Sequence, residues 1–443
     1  MIRIVLNISF LVIIFGVIFF ISGLSITDDY RIEWLKNNTV KFKSVNPDDE
    51  DFSDLQPLKK LIGDSVSVVM LGEQTHGDGT TFLAKTRLIK FLHQEMGFDI
   101  LAFESNMYSL EKIKEHTGNK EDFKRNLKNS IFEIWAGSNE VQQLLCYLQE
   151  SQLSSNPLKV TGFDNQFMGN NEVNQSELKK ILEDFLNSLF ENKVIEISET
   201  ELRDFKKVFI GVNRNEFINR QKEFDKIAEI IMSQKINPIA EKLFPGKSSY
   251  YFQLFESYYI DKYIYYCRNG MTSQELDSTH ALRDIQMGKN LLWLTENNPD
   301  KKFIVWAATS HISRNLSEVK LSGAHYGSHI TMGDIVHNAI GNKSYTIGFT
   351  AYEGSYGNLY SARKDLIKPS AASIEFLFNE AGIENGFIDF RNSINPGNEW
   401  LKDKIISRPL GNTEMYANWT KVMDGIVYTQ KMIPSTKRNY ILD

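Results

Sequence analysis

Cysteine is nearly missing from this chain: 443 residues carry two, Cys146 and Cys267. Two thiols so far apart exclude a disulfide-stapled scaffold and a multi-cysteine zinc module. Proline is scarce at ten residues, and the 27 glycines are scattered, which excludes a collagen-like or globally disordered chain. An excess of positive charge is missing too. Fifty Lys and Arg against 56 Asp and Glu leave a net charge of −6. That balance argues against nucleic acid as a partner, which calls for a basic stripe. What is plentiful is apolar chain, 42% of the residues, enough to bury a core without staples.

One apolar run bears on location. No charge occurs between Arg3 and Asp28, and Ile4 to Ile21 is almost wholly apolar, close to the ~20 residues that span a bilayer. Arg3 precedes it and Asp28 and Asp29 follow, so the positive-inside rule sends the rest of the chain outward. Ser22-Gly23-Leu24-Ser25 offers a small-residue cleavage site. Residues 1–26 are therefore expected to be a signal peptide or a retained inner-membrane anchor. The protein is expected to be exported, periplasmic or otherwise extracytoplasmic, touching the membrane through residues 4–21 if they are kept. Without a cysteine here, lipoprotein processing is excluded.

Residues 27–60 read as a polar lead-in with an acidic run from Asp48 to Asp54, closing in a short helix to Ile62. Ser65 to Leu71 is a continuous β-branched run bounded by Gly63-Asp64 and Gly72, the signature of a buried parallel strand. Thr80 to Met96 repeats apolar residues at helical spacing and stops at Gly97. Phe98 to Phe103 is a second buried strand. Together these predict a βαβ unit over 65–104 and a parallel sheet. Further strands are expected at 158–163, 302–307, 345–349, 387–390 and 425–429. The stretch of about 168–300 is charged, glycine-poor and helical in period, and predicts a helical insertion roofing the site. The fold class expected is α/β, a mostly parallel central sheet flanked by helices.

In such sheets ligands bind beyond the carboxyl ends of the strands. The four predicted ends there read Gly72-Glu73-Gln74-Thr75-His76-Gly77, Glu104-Ser105-Asn106, Phe163-Asp164-Asn165 and Trp306-Ala307-Ala308-Thr309-Ser310-His311. Any one of these polar residues alone is more often structural. Two glutamates, two histidines and an aspartate on one rim are not what random placement gives. Lys85 lies on the sheet-facing stripe of the first helix, where a cation beside Glu73 and Glu104 would balance them or a developing oxyanion. Histidine is the side chain suited to proton transfer near neutral pH. No GxSxG elbow and no HExxH occurs. His325, His329 and His337 have a metal-like spacing, but Gly323, Gly327 and Gly333 interrupt any helix there, so they read as loop histidines.

These residues carry a resemblance. GExxHG at Gly72 to Gly77, Lys85 nine residues after the histidine, the strand FDILAFES, Gly162-Phe163-Asp164, Arg283-Asp284 with Met287 and Asn290, the tryptophan strand ending at His311, Met332-Gly333, Tyr345 to Phe349, and MDGIVYT around Asp424 together resemble the erythromycin esterase family, over about residues 60–432. The resemblance implies a hydrolase domain that adds water to an ester, a macrolactone in the members that open erythromycin-like antibiotics. It implies His76 as general base on water, with Glu73, Lys85, Glu104 and His311 as the other catalytic positions and Asp164, Arg283 and Trp306 toward the substrate. Two positions depart from the family. Lys85 stands where an arginine is usual, and a lysine lacks the two-pronged fork. Ala308 stands where the family's WAHNxH-like pattern has its first histidine, and an alanine can neither donate, accept nor ligate. No cofactor is expected. The alternatives are a divalent metal held by Glu73, His76, Glu104 and His311 with Asp164, or a non-catalytic small-molecule binder. The expected partner is a small ester, and nothing in the sequence sets the oligomeric state.

Overall fold

The computed structural model describes residues 28–113, 120–167, 172–211, 213–267, 273–322, 324–327, 329–392 and 397–438. The apolar segment 4–21 lies outside them. Among the described residues no helix is long and apolar enough to cross a membrane.

Eight strands form the path of the main sheet. They are β1 (Val40–Lys41), β2 (Val68–Glu73), β3 (Ile100–Asn106), β4 (Lys159–Asp164), β5 (Phe303–Ala308), β6 (Ser344–Tyr356), β7 (Asn385–Asp389) and β8 (Gly425–Met432), in the spatial order β1-β7-β8-β6-β2-β5-β3-β4. All pairings from β8 to β4 are parallel, whereas β7 runs antiparallel to both its neighbours. Each residue of β2, β3 and β5 is buried, as expected of parallel strands covered on both faces. The protein has the mostly parallel α/β sheet flanked by helices that its sequence predicts.

The predicted βαβ unit forms, with one difference. Helix α1 (Gly79–Met96) links β2 to β3 and ends on Gly97 at φ 68°, a left-handed cap that glycine adopts without strain. Yet β2 and β3 are not neighbours: β5 lies between them, Phe303 aligning with both Val68 and Ile100. A strand from some 200 residues later thereby enters the middle of the sheet. It sets Glu73 and Glu104 on either side of the Ala308 end of β5.

The lead-in is part of the fold. Residues 28–38 are helical, β1 pairs with β7, and Phe42, Phe52 and Leu55 join the core under α1. Arg87 of α1 is buried against this segment, donating to both carboxylate oxygens of Asp54 at 2.9 and 2.8 Å.

The described part of 168–300 is helical. Glu172–Glu191, Glu199–Phe209, Arg214–Met232, Pro238–Leu243, α2 (Ser248–Cys267) and α3 (Ser273–Glu296) enclose their own apolar cluster, rich in Phe and Tyr. A buried polar hub ties this lobe to the sheet. Asn290 on α3 donates to the Phe163 carbonyl at 2.8 Å, while its own oxygen accepts from Gln253, Ser257 and Gln286. With donor and acceptor both engaged, the hub fixes the lobe over the end of β4 instead of leaving polar groups stranded.

Candidate active site

Glu73 ends β2 and is wholly buried. Its carboxylate accepts from three side chains. Oε1 takes the Trp135 indole N–H at 3.1 Å and faces His76 Nδ1 at 3.1 Å; Oε2 takes the Lys85 ammonium. Lys85 is fully enclosed, against the expectation a lysine usually raises of a head in water. It also donates to the Ala307 carbonyl at 3.2 Å, and its Nζ lies 3.9 Å from the centre of the Trp306 ring. Burial lowers the Lys85 pKa, and Glu73 works against that. A buried pair of this kind is costly to break, because the surviving charge has no water to turn to.

The turn after β2 carries His76, whose side chain is 37% exposed. Its ring meets Trp135 edge-on, centroids 5.2 Å apart at 89°. Desolvation would lower its pKa, but the Glu73 hydrogen bond and the Glu104 charge outweigh it and leave the pKa above its ordinary value. With Nδ1 held by a carboxylate, Nε2 is the basic nitrogen.

Glu104, Asp164 and His311 meet around one cation. Arg283 on α3 donates to both Asp164 oxygens, at 3.1 and 2.7 Å, and to Glu104 Oε1 at 2.9 Å. The other Glu104 oxygen accepts the Ala308 backbone N–H at 2.9 Å. Burial pushes the Glu104 carboxyl up, yet His311 and Arg283 hold it well below the usual carboxylate range. His311, on the short helix α4 (Thr309–Ile312), places Nδ1 2.5 Å from Asp284 Oδ1 and Nε2 3.3 Å from Glu104 Oε1. Burial lowers its pKa, but Asp284 and Glu104 raise it to about 10. Arg283 opposes them from 3.1 Å; its charge is already balanced by Asp164 and Glu104, so the rise prevails. The close approach of α4 to β2 needs Gly72, where a Cβ would lie 2.6–2.9 Å from Ile312 and Thr309.

The structure thus gathers Glu73, His76, Lys85, Glu104, Asp164, Arg283 and His311 beyond the carboxyl ends of β2, β3, β4 and β5. It moves three others. Trp306, expected at the substrate, is fully buried among Phe82, Phe103 and Lys85, so it underlies the site and lines no surface. His329 is a loop residue as expected but not a bystander: its Nε2 stands 3.5 Å from Asp284 Oδ2, across from His311. His337 is not in a loop. It sits on helix α5 (Met332–Ile340), beside Arg314 at 3.2 Å, because Gly333 falls within the first turn, where it is tolerated, and a Thr331–Asp334 capping box starts the helix ahead of it. Sequence reading also missed Trp135 and the part of Asp284. The indole comes from 62 residues away, beyond any local pattern, while Asp284 stood beside Arg283 in the quoted motif.

Glu104 and Asp164 are committed to Arg283 and Glu73 to Lys85, so fixed cations hold the places of positive charge. Among the described residues no three His, Cys, Asp or Glu side chains are arranged to share an ion.

Comparison with known proteins gives the family and the fold. The erythromycin esterase family model matches residues 93–432. The chain is 26% identical over 434 residues to YbfO of Bacillus subtilis (strain 168), covering 92% of each, and 25% identical over 436 residues to erythromycin esterase type II of Escherichia coli, covering 90% of this chain and 97% of that one. Among solved structures, a Bacillus cereus protein superposes with a TM-score of 0.71 at 21% identity over 93% of this chain and 99% of its own. A mutant of the erythromycin esterase EreC in its open conformation gives 0.63 at 15% identity over 90% and 97%. Fold and matches define a hydrolase of esterase-like kind built on a mostly parallel sheet. The chain belongs to the erythromycin esterase family.

Proposed function

We propose that this protein is an exported hydrolase that adds water to an ester, with His76 as general base. The observation that carries the reading is the His76–Glu73 pair: one ring nitrogen faces a buried carboxylate at 3.1 Å on a ring that is 37% exposed. Nε2 takes a proton from water as the water oxygen bonds to the ester carbonyl carbon. Glu73 stabilises the imidazolium that forms, and the Lys85 ammonium holds the other oxygen of Glu73. His311, with its pKa raised, adds positive charge to the rim on which an anionic tetrahedral intermediate forms. As that intermediate collapses, the C–O bond to the alcohol breaks and the alcohol leaves with the proton held by His76.

The reading invokes no cofactor, since Lys85 and Arg283 supply charge that a divalent ion would otherwise bring. A macrolactone is the favoured substrate class through similarity to the E. coli esterase. Ala308 weighs against it, for no imidazole stands between Glu73 and Glu104. The segment 1–26 supports export through its apolar run and charge asymmetry. The deciding experiment is a hydrolysis screen over macrolides and simple esters, with and without chelator, for the parent and for His76→Ala. An active parent indifferent to His76→Ala refutes the base; activity abolished by chelator and restored by one divalent ion refutes the metal-free mechanism.

A further inference from the structure

The turn that carries His76 is held from outside. Asp78 stands immediately before α1, where an aspartate ordinarily caps the first helical amides. Here its side chain makes no cap hydrogen bond. Both oxygens turn back instead: the Thr75 backbone N–H donates to Oδ2 at 2.5 Å, and Oδ1 accepts from the Thr75 hydroxyl at 3.1 Å and the Asn412 amide at 2.8 Å. Asp78 has no exposed surface. Asn412 comes from a loop 334 residues later and is itself at φ 55°, a left-handed conformation that asparagine tolerates. Its side-chain oxygen is buried without a partner, so this orientation serves the donor toward Asp78. The backbone of the turn is held in the same way. The Gln74 carbonyl accepts from the Gly411 amide at 2.9 Å, and the Gly77 carbonyl from Gly357 and Ser435 at 3.1 and 2.9 Å. Gly77 is needed there, since a Cβ would come within 2.6–2.9 Å of the Gly357–Asn358 backbone.

We propose that Asp78 and Asn412 form a positioning pair that fixes the Thr75–His76 turn, so that His76 Nδ1 meets Glu73. Neither residue touches the reacting atoms; both act through His76. The catalytic part of this claim rests on the reading of His76 as base, whereas the positioning part does not.

The test uses the full chain labelled with 13C at histidine Cε1. His76 is identified among the eight histidines by the signal lost in His76→Ala. In the parent, its titration is expected above the ordinary ~6.5. In Asp78→Ala and in Asn412→Gly, which removes the amide without straining a left-handed backbone, it is expected to fall toward that value as the ring leaves Glu73. On the ester the parent hydrolyses, kcat is expected to drop about 10²-fold with KM within about twofold, the cost of misplacing a reacting group by about 1 Å. Asp78→Asn, which keeps one acceptor for the Thr75 amide, is expected to recover part of both readouts. In the His76→Ala background, Asn412→Gly is expected to remove nothing further. If Asp78→Ala fails to fold, Asn412→Gly decides alone, because it alters nothing within the turn. An unchanged His76 titration in the variants that fold overturns the proposal whatever the rates. Full turnover by His76→Ala overturns the base reading alone, and the titration still reports on the positioning.

Discussion

Two clusters of buried charge in this molecule are built from the same residue types and behave differently. One lies beyond the carboxyl ends of β2 to β5. The other lies where β6 and β8 begin, around Asp424, which accepts from Arg314 at 3.1 and 2.9 Å, from Arg391 at 3.1 Å and from the Thr346 amide at 2.8 Å. Each has at least one arginine, a carboxylate shared between donors, and at least one histidine. In the second cluster burial and then the Arg314 charge lower the His337 pKa, and the carboxylate is fully engaged in joining β6, β7 and β8. In the first, carboxylates outnumber cations near the histidines, so His76 and His311 shift upward. One of these histidines, His76, is partly exposed. Buried ion pairs alone therefore do not mark a site. What sets the first cluster apart is a partly exposed histidine with one nitrogen facing a buried carboxylate.

The comparison breaks most visibly at that nitrogen. His76→Ala is expected to cost about 10²–10⁴-fold in turnover and to move the urea midpoint far less, because the ring is partly exposed and Glu73 keeps Lys85 and Trp135 as partners. Asp424→Ala is the counterpart. It leaves the buried Arg314 and the part-buried Arg391 without their carboxylate and is expected to cost about 3–5 kcal/mol of stability, read by urea denaturation, with per-molecule activity of the folded fraction retained. If Asp424→Ala instead abolishes turnover in fully folded protein, the division between the clusters is wrong.

Lys85 sharpens the contrast, since it is buried like the structural cations yet sits on Glu73. Lys85→Met is expected to lower kcat about 10²-fold, by analogy with loss of a charge-stabilising donor. Lys85→Arg, which restores the charge, is expected to stay within about tenfold of the parent. Equal losses in both would show that the exact length of the lysine matters more than its charge.

The slope of stability with pH separates the two clusters again. The folded pKa of His311 is raised to about 10. Its stabilisation is thus complete below the ordinary ~6.5 and is lost as pH rises through about 10. His337 is lowered, so its contribution is present above ~6.5 and is lost as pH falls. Asp284→Asn is expected to flatten the alkaline slope and Arg314→Met the acid one, both read from urea midpoints across the pH range. Slopes that do not respond would mean that other groups govern both limbs.

Much of the site was legible because it sits at the ends of strands that declare themselves locally. β2, α1 and β3 follow from an apolar run, a helical period and a terminal glycine. Their ends name Glu73, His76 and Glu104, and the sheet-facing stripe of α1 names Lys85. The ends of β4 and β5 add Asp164 and His311 by the same rule. Arg283 came only with the resemblance, since a residue ten positions into a long helix has no local signature of pointing at a sheet edge. Trp306 was misplaced for the converse reason. Its strand end looks like a rim, but alternation along β5 turns the indole toward α1.

Sequence alone, then, determined the elements, the rim residues and the family, since each of these rests on patterns a few residues long or on ordered motifs. Only the tertiary structure decided that β5 passes between β2 and β3, that Trp135 and Lys85 share Glu73, that His329 reaches Asp284, and that Asn412 braces the turn of His76. These are contacts between segments tens to hundreds of residues apart. What selects them is the cost of leaving buried polar groups unpaired once the sheet has closed over them, and that cost cannot be evaluated before the chain has folded.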